Sequence, residues 1–274
     1  MKGDSYIDRS SRALTVYAVL FLIVLYVPIL FLPLFSFNDS IYISFPLQGF
    51  TTAWYAQMWE NPQMWAALWN SVKVGLATAA ISTTLGVFAA KAITRYRLPG
   101  QAPLVGFMML PLVVPLIIFG VALLILMSRL GVPLSLYTVT LGHLLICTPF
   151  AIVTLIPRFE GLDPSLEEAS ADLGENVWWT FWRVTFPAVY PGIIASLLLT
   201  FTISFDEFIM AFFLAGTEPT LPIYIWNQLR FPRELPKVLA LASIILLVSF
   251  VVVFFSLWLT NRGNRTLVKP GADA

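Results

Sequence analysis

Asp206 and Glu207 stand side by side inside the apolar run SLLLTFTISFDEFIMAFFLA. A carboxylate at the centre of a bilayer costs at least about 2.5 kcal/mol on insertion scales, so such groups face a bundle interior or a water-filled route. Adjacent positions on one helix are about 100° apart, so both can point inward but not at one spot. Two chemistries suit such a pair: attraction of a cation crossing the protein, or structural bonding to a neighbouring helix or subunit. Lys73, in another apolar run, is a possible counter-ion for the second. The single histidine, His143, and the single cysteine, Cys147, also lie in apolar runs. The histidine reads as a packed or helix-bonded residue and the cysteine as a small core residue. One cysteine excludes an internal disulfide framework. The chain holds no G-x-x-x-x-G-K-S/T phosphate loop and no metal-ligand cluster, so it does not hydrolyse ATP by itself.

A second group of polar residues lies in EASADLGENVWWTFWRVTFP, residues 168–187, between long apolar segments. Asp163-Pro164-Ser165 reads as a helix start, because proline is tolerated in the first turn and Ser165 with Glu168 has capping-box spacing. Glu167 and Glu168 sit near that helix N-terminus, where the dipole favours them. Gly174 ends the helix, since a left-handed C-terminal residue costs glycine almost nothing. Asn176 can cap a second short helix carrying Trp178, Trp179, Phe181 and Trp182, closed by Pro187. The bland reading is a helical hairpin lying on the membrane; the sharper one is a handle for a soluble partner.

The elements that carry these residues follow from composition. Of 274 residues, 58% are hydrophobic and 11% charged, against about 25% charged in soluble domains. Crossing about 30 Å of hydrocarbon takes about 20 apolar residues, with the backbone bonded within the segment. Six spans are expected, at about 14–37, 66–93, 104–128, 134–156, 188–214 and 237–260. The fold class is therefore all-α: a polytopic membrane protein, one transmembrane domain over 1–274, with a cytoplasmic loop at about 157–187. The first span follows Lys2, Arg9 and Arg12 and resembles a signal sequence. Its length, its Pro28 and Pro33 and the lack of a small-residue cleavage site make it a retained helix. Basic residues set the orientation. One side collects Lys2, Arg9, Arg12, Lys91, Arg95, Arg97, Arg158, Arg183, Arg262, Arg265 and Lys269; the other has Lys73, Arg129, Arg230, Arg233 and Lys237. The first side is cytoplasmic and holds both termini. Trp54, Trp59 and Trp65 fit an outer interfacial belt. A net charge of +1 gives no footing for nucleic acid.

Glu168-Ala169-Ser170, Gly174 and Val184-x-Phe186-Pro187 together resemble the E-A-A, x3, G, x9, I-x-L-P loop of ABC importer permeases, type I. Ser170, Val184 and Phe186 depart conservatively; the Glu, the Gly, the Pro and the spacings match. The resemblance implies that this loop forms coupling helices docking on an ATP-binding subunit, with Glu168, Ala169, Ser170, Gly174 and Pro187 as partner-binding positions. Gly49-Phe50-Thr51-Thr52-Ala53-Trp54-Tyr55, Arg95-Tyr96-Arg97, Ser204-Phe205-Asp206-Glu207 and Leu221-Pro222 are similar to the second permease subunit of spermidine/putrescine-type importers. It implies a bacterial inner-membrane complex with a homologous second permease, two ATPase subunits that hold the ATP and magnesium, and a periplasmic solute-binding protein. It also implies an organic-cation route by alternating access, lined by Asp206, Glu207 and Ser204, with Trp54 at an outer gate. Interfacial anchoring explains Trp54 equally well.

Permeases of the polyamine type often carry Asp directly after a proline in the third span. Here Leu116 follows Pro115, and 104–128 has no carboxylate. An amino-acid conjugate, an opine-like compound or a quaternary amine is the alternative solute. Two other classes fit less well. An ion-coupled secondary carrier is expected to show repeated halves with broken helices, and a redox subunit needs several His or Cys ligands. Pro111, Pro115, Pro149 and Pro191 can kink or break helices, and Gly75, Gly86 and Gly106 can let helices approach closely.

Overall fold

The computed structural model describes the backbone of residues 4–96 and 99–267 and the side chains of 13–96 and 99–251. Arg97 and Lys269, and the side chains of Lys2, Arg9, Arg12, Arg262 and Arg265, lie outside the described residues, and their share of the charge count with them. The described chain is helical, in two compact units formed by 1–61 with 227–274 and by Pro62–Trp226.

In the first unit α1 (Asp4–Ser36) and α2 (Ala53–Trp59) each pack on α12 (Leu235–Leu267). Between α1 and α2 the loop folds around Asn38. Its Oδ1 accepts the Gln48 amide at 2.9 Å and its carbonyl accepts the Trp54 indole N–H at 2.9 Å. Tyr55 and Ser36 join hydroxyls at 2.6 Å.

In the second unit α3 (Pro62–Arg95), α6 (Leu136–Glu160) and α9 (Phe186–Asp206) pack on one another. Val87 and Ala90 of α3 meet Leu155, Phe159, Val189 and Ile193 in a buried cluster. A Cβ on Gly86 would lie 2.8 Å from the Ala151 Cβ, so glycine sets the approach of α3 to α6. Gly75 likewise abuts the Phe201 ring, whereas Gly106 faces open space, and close approach does not explain it. Thr83 bonds Ser196 across the α3–α9 contact at 3.1 Å, as hydroxyls do between helices in lipid.

Among the described residues four helices are long and apolar enough to cross a membrane: Ala13–Ser36, Pro62–Arg95, Leu136–Glu160 and Val177–Asp206. The expected third span is not one helix. It divides into α4 (Gln101–Val113) and α5 (Leu116–Arg129), bent by 97°. Pro115 pushes Val114 into extended backbone, ψ 133°, and cannot donate back into α4. Pro111, Pro149 and Pro191 stay inside continuing helices. The expected fifth span starts earlier, in the polar loop, and ends at Asp206. Beyond it lie α10 (Ile209–Leu214) and α11 (Leu221–Gln228). The backbone of α12 covers the sixth, with its described apolar part at Leu235–Val251.

Candidate functional site

α7 (Pro164–Asp172) starts where expected but on a different cap. Pro164 is the first helical residue and Asp163 the N-cap, its carboxylate accepting the Ser165 amide at 2.9 Å. That bond holds the exposed Asp163 carboxyl below its usual range. The Ser165–Glu168 box does not form, because a proline at the first helical position makes the residue before it the cap. Gly174 does close the helix, at φ +89°. Its amide bonds the Ala171 carbonyl at 2.9 Å and the Glu175 amide bonds that of Ser170 at 3.2 Å, the paired bonds of a Schellman end.

Asn176 caps α8 (Val177–Thr180) by accepting the Trp179 amide at 3.0 Å. The helix does not stop at Pro187. A five-residue π turn, Phe181–Thr185, joins α8 to α9, and Pro187 sits in the first turn of α9. The wider turn carries the chain past a residue that has no amide to donate.

Glu168, Ala169 and Gly174 lie exposed, with Leu173 beside them 86% exposed. Pro187 is exposed as well. Ser170 differs: it is buried, its hydroxyl 3.0 Å from that of Thr180, fastening α7 to α8. Glu167 is the residue that sequence reasoning passed over. Its carboxylate pairs with Lys91 Nζ at 3.4 Å and Arg95 Nε at 3.3 Å and accepts the Thr185 hydroxyl. The signal was available: Lys91 and Arg95 are one helical turn apart at the end of a span, facing a loop with two adjacent acids.

The acidic pair is split by the end of α9. Asp206 is its last residue and is exposed; Glu207, at φ −72° and ψ 122°, is buried and off the helix. The two are therefore not adjacent positions of one helix, as the sequence suggested. Glu207 turns back on α10, accepting the amides of Ile209 at 2.9 Å, Met210 at 2.8 Å and Ala211 at 3.3 Å. His143 Nε2 lies 3.3 Å away, an ion-pair distance without hydrogen-bond geometry. His143 Nδ1 is 2.7 Å from the buried Ser204 hydroxyl. Ser204, His143 and Glu207 thus form a chain locking α6 to the break after α9. The bonded reading of His143 holds. Lys73 is exposed and pairs with neither acid among the described residues. Trp54 belongs to the other unit, its indole tied to Asn38. Among the described residues no group of His, Cys, Asp and Glu could hold a metal.

Residues 82–264 match the family of binding-protein-dependent transport system inner membrane components. The chain belongs to that family. It is 32% identical over 249 residues to the spermidine/putrescine transport system permease protein PotC of Escherichia coli K12, covering 89% of this chain and 94% of that one. The putrescine transport system permease protein PotI of the same organism is 32% identical over 253 residues, covering 89% of each. Among solved structures, a bacterial alginate ABC transporter in complex with an alginate pentasaccharide-bound periplasmic protein contains a similar chain. The TM-score is 0.70 at 18% identity, over 98% of both chains, which speaks to fold. The chain is thus a non-catalytic inner-membrane permease subunit of an ABC importer, with the type I permease fold. The matched segment contains both the 168–187 loop and the Asp206–Glu207 break.

Proposed function

We propose that this permease couples a partner's ATP hydrolysis to import of a small organic cation of polyamine type by alternating access. The single observation that carries the coupling part is the exposed face of α7, Glu168, Ala169 and Leu173, ended by a left-handed Gly174. A short polar helix presenting such a face, anchored underneath by Ser170 and Glu167, suits docking in a cleft of an ATP-binding subunit. Two such subunits hold the ATP and magnesium, a homologous permease supplies the other half of the route, and a periplasmic binding protein delivers the solute. The side of Lys91, Arg95, Arg158 and Arg183 is cytoplasmic.

For the solute, Asp206 is the favoured pathway residue. It ends a membrane helix, exposed, where the carbonyl end of the helix dipole adds negative potential. An ammonium group losing water in a narrow route is stabilised by such a charge. Glu207 supports the route by holding its wall, since its oxygens are taken up by α10 amides. That leaves one free carboxylate at this break, which favours a second reading. A singly charged solute, such as a quaternary amine or an amino-acid conjugate, needs no spaced pair of acids. The cognate binding protein, screened against putrescine, spermidine, choline-like amines and amino-acid conjugates, identifies the solute, and uptake by the Asp206→Asn complex then tests the route. Binding of anions or neutral solutes alone, or parental uptake in Asp206→Asn, refutes the cationic route.

A further inference from the structure

Two segments of the second unit, the end of α3 and the π turn, meet at the Glu167 carboxylate of α7. Oε1 faces Lys91 Nζ at 3.4 Å and accepts from the Thr185 hydroxyl; Oε2 faces Arg95 Nε at 3.3 Å. Arg95 spends its other arm on the turn before α7, donating Nη2–H to the Leu162 carbonyl at 2.6 Å. Lys91 also stands 5.1 Å over the Phe181 ring, in the π turn. A single side chain of α7 is therefore ion-paired with the end of α3 and hydrogen-bonded to the π turn that leads into α9. The neighbouring Glu168 is exposed and makes no ion pair among the described residues. The two acids divide the work: one faces outward, the other inward.

The site is set for force rather than for a ligand. Lys91, Arg95 and Glu167 are 14%, 11% and 18% exposed, so water and salt screen their attraction less than at an open surface. Lys91 and Arg95 are a like-charged i,i+4 pair on one helix face, which repel each other without an anion between them. The contact on the α9 side is a π turn, a rare single-turn form frequent at functional sites. Apart from Glu167, α7 reaches α9 through the Ser170–Thr180 and Glu175–Arg183 contacts and through the short turn from α6, which itself packs on α9.

We propose that Glu167 is a positioning residue that makes α7 and the cytoplasmic ends of α3 and α9 move as one body. By this link a displacement of the coupling helix is delivered to the far end of α9, where Asp206 lies. This rests on the coupling reading above.

The test needs no knowledge of the solute. In the assembled transporter, with Cys147→Ala to remove the native thiol, Thr202→Cys, exposed one turn before Asp206, reports access near the end of α9. Its rate of modification by a water-soluble maleimide is measured without nucleotide and after trapping with ATP and vanadate. The nucleotide should change that rate by at least about five-fold, the lower range of allosteric coupling. In Glu167→Gln the change should collapse below about two-fold, while Glu167→Asp, which keeps the charge, retains at least half of it. Thr185→Val removes the contact to the π turn without stranding a charge, and should also blunt the response. It decides the matter if Glu167→Gln does not assemble. A full response in Glu167→Gln, or in Thr185→Val where that variant must decide, overturns the inference alone. A parental reporter indifferent to nucleotide overturns the coupling reading, and this inference with it.

Discussion

At Glu207 the carboxylate accepts three amides of α10 and faces His143, so replacing it acts first on structure. Glutamine keeps the shape but offers one acceptor oxygen and a competing N–H₂. Glu207→Gln should therefore cost about 1–3 kcal/mol, the penalty of buried donors left unmatched. It is read as a lower melting temperature and poorer recovery of the detergent-solubilised complex. Asp206→Asn should behave the opposite way. Its side chain is exposed, so the variant melts like the parent. Its uptake of a cationic solute should fall by roughly ten-fold or more, equivalent to about 1.4 kcal/mol. Equal melting for Glu207→Gln, or a melting loss confined to Asp206→Asn, would reverse the roles assigned here. A His143→Leu variant leaves the buried Ser204 hydroxyl without its imidazole partner, and should lower the melting temperature in the same measurement.

The elements divide by how local their causes are. The α7 turn was legible because its signals are close in sequence: Asp163-Pro164 to start, Gly174 to stop, Asn176 to restart. Even there the cap moved by two residues, because the proline rule outranks the Ser165–Glu168 spacing. The breaks at Pro115 and Glu207 were less legible. A run of apolar residues has no periodicity that distinguishes one long helix from two, and the capping role of Glu207 depends on a turn not written in composition. At Glu167 the sequence offered two bases one turn apart and two adjacent acids, but which acid turns inward to residues 91, 95 and 185 is set by packing between distant segments. The Gly174 turn yields a test at this scale. A Cβ there meets nothing within 4 Å among the described residues, so the strain comes from φ +89°. Gly174→Asn, which tolerates the left-handed region, should retain much of the coupled ATPase activity. Gly174→Val should insert and assemble yet lose stimulation by the loaded binding protein, since a β-branched residue at positive φ costs about 1–2 kcal/mol or more. Full stimulation in Gly174→Val would remove the docking role of this turn.

For the molecule as a whole, the bent pair α4–α5 determines which side of the membrane every later element occupies. The 97° bend at Val114–Pro115 is compatible with a broken span that crosses or with a re-entrant loop that returns. The two differ by one crossing, and therefore invert α6 and all that follows. Chemistry decides between them. Arg95, at the end of α3, bonds the Leu162 carbonyl just past α6 and pairs with Glu167, so the ends of α3 and α6 lie on one side. From the end of α3, the chain must cross through α4–α5 and cross back through α6 to reach Leu162 on that same side. A re-entrant pair followed by the single crossing of α6 would leave Leu162 on the face opposite Arg95, out of reach of the bond between them. The structure therefore calls for a broken span, which puts Gly131 on the face opposite Gly161 and Gly174. Enzyme reporters fused after Gln63, Gly131 and Glu218 should read as periplasmic, and those after Gly161 and Gly174 as cytoplasmic. A cytoplasmic reading at Gly131 together with a periplasmic one at Gly161 would make α4–α5 re-entrant and detach the α7 handle from its partner.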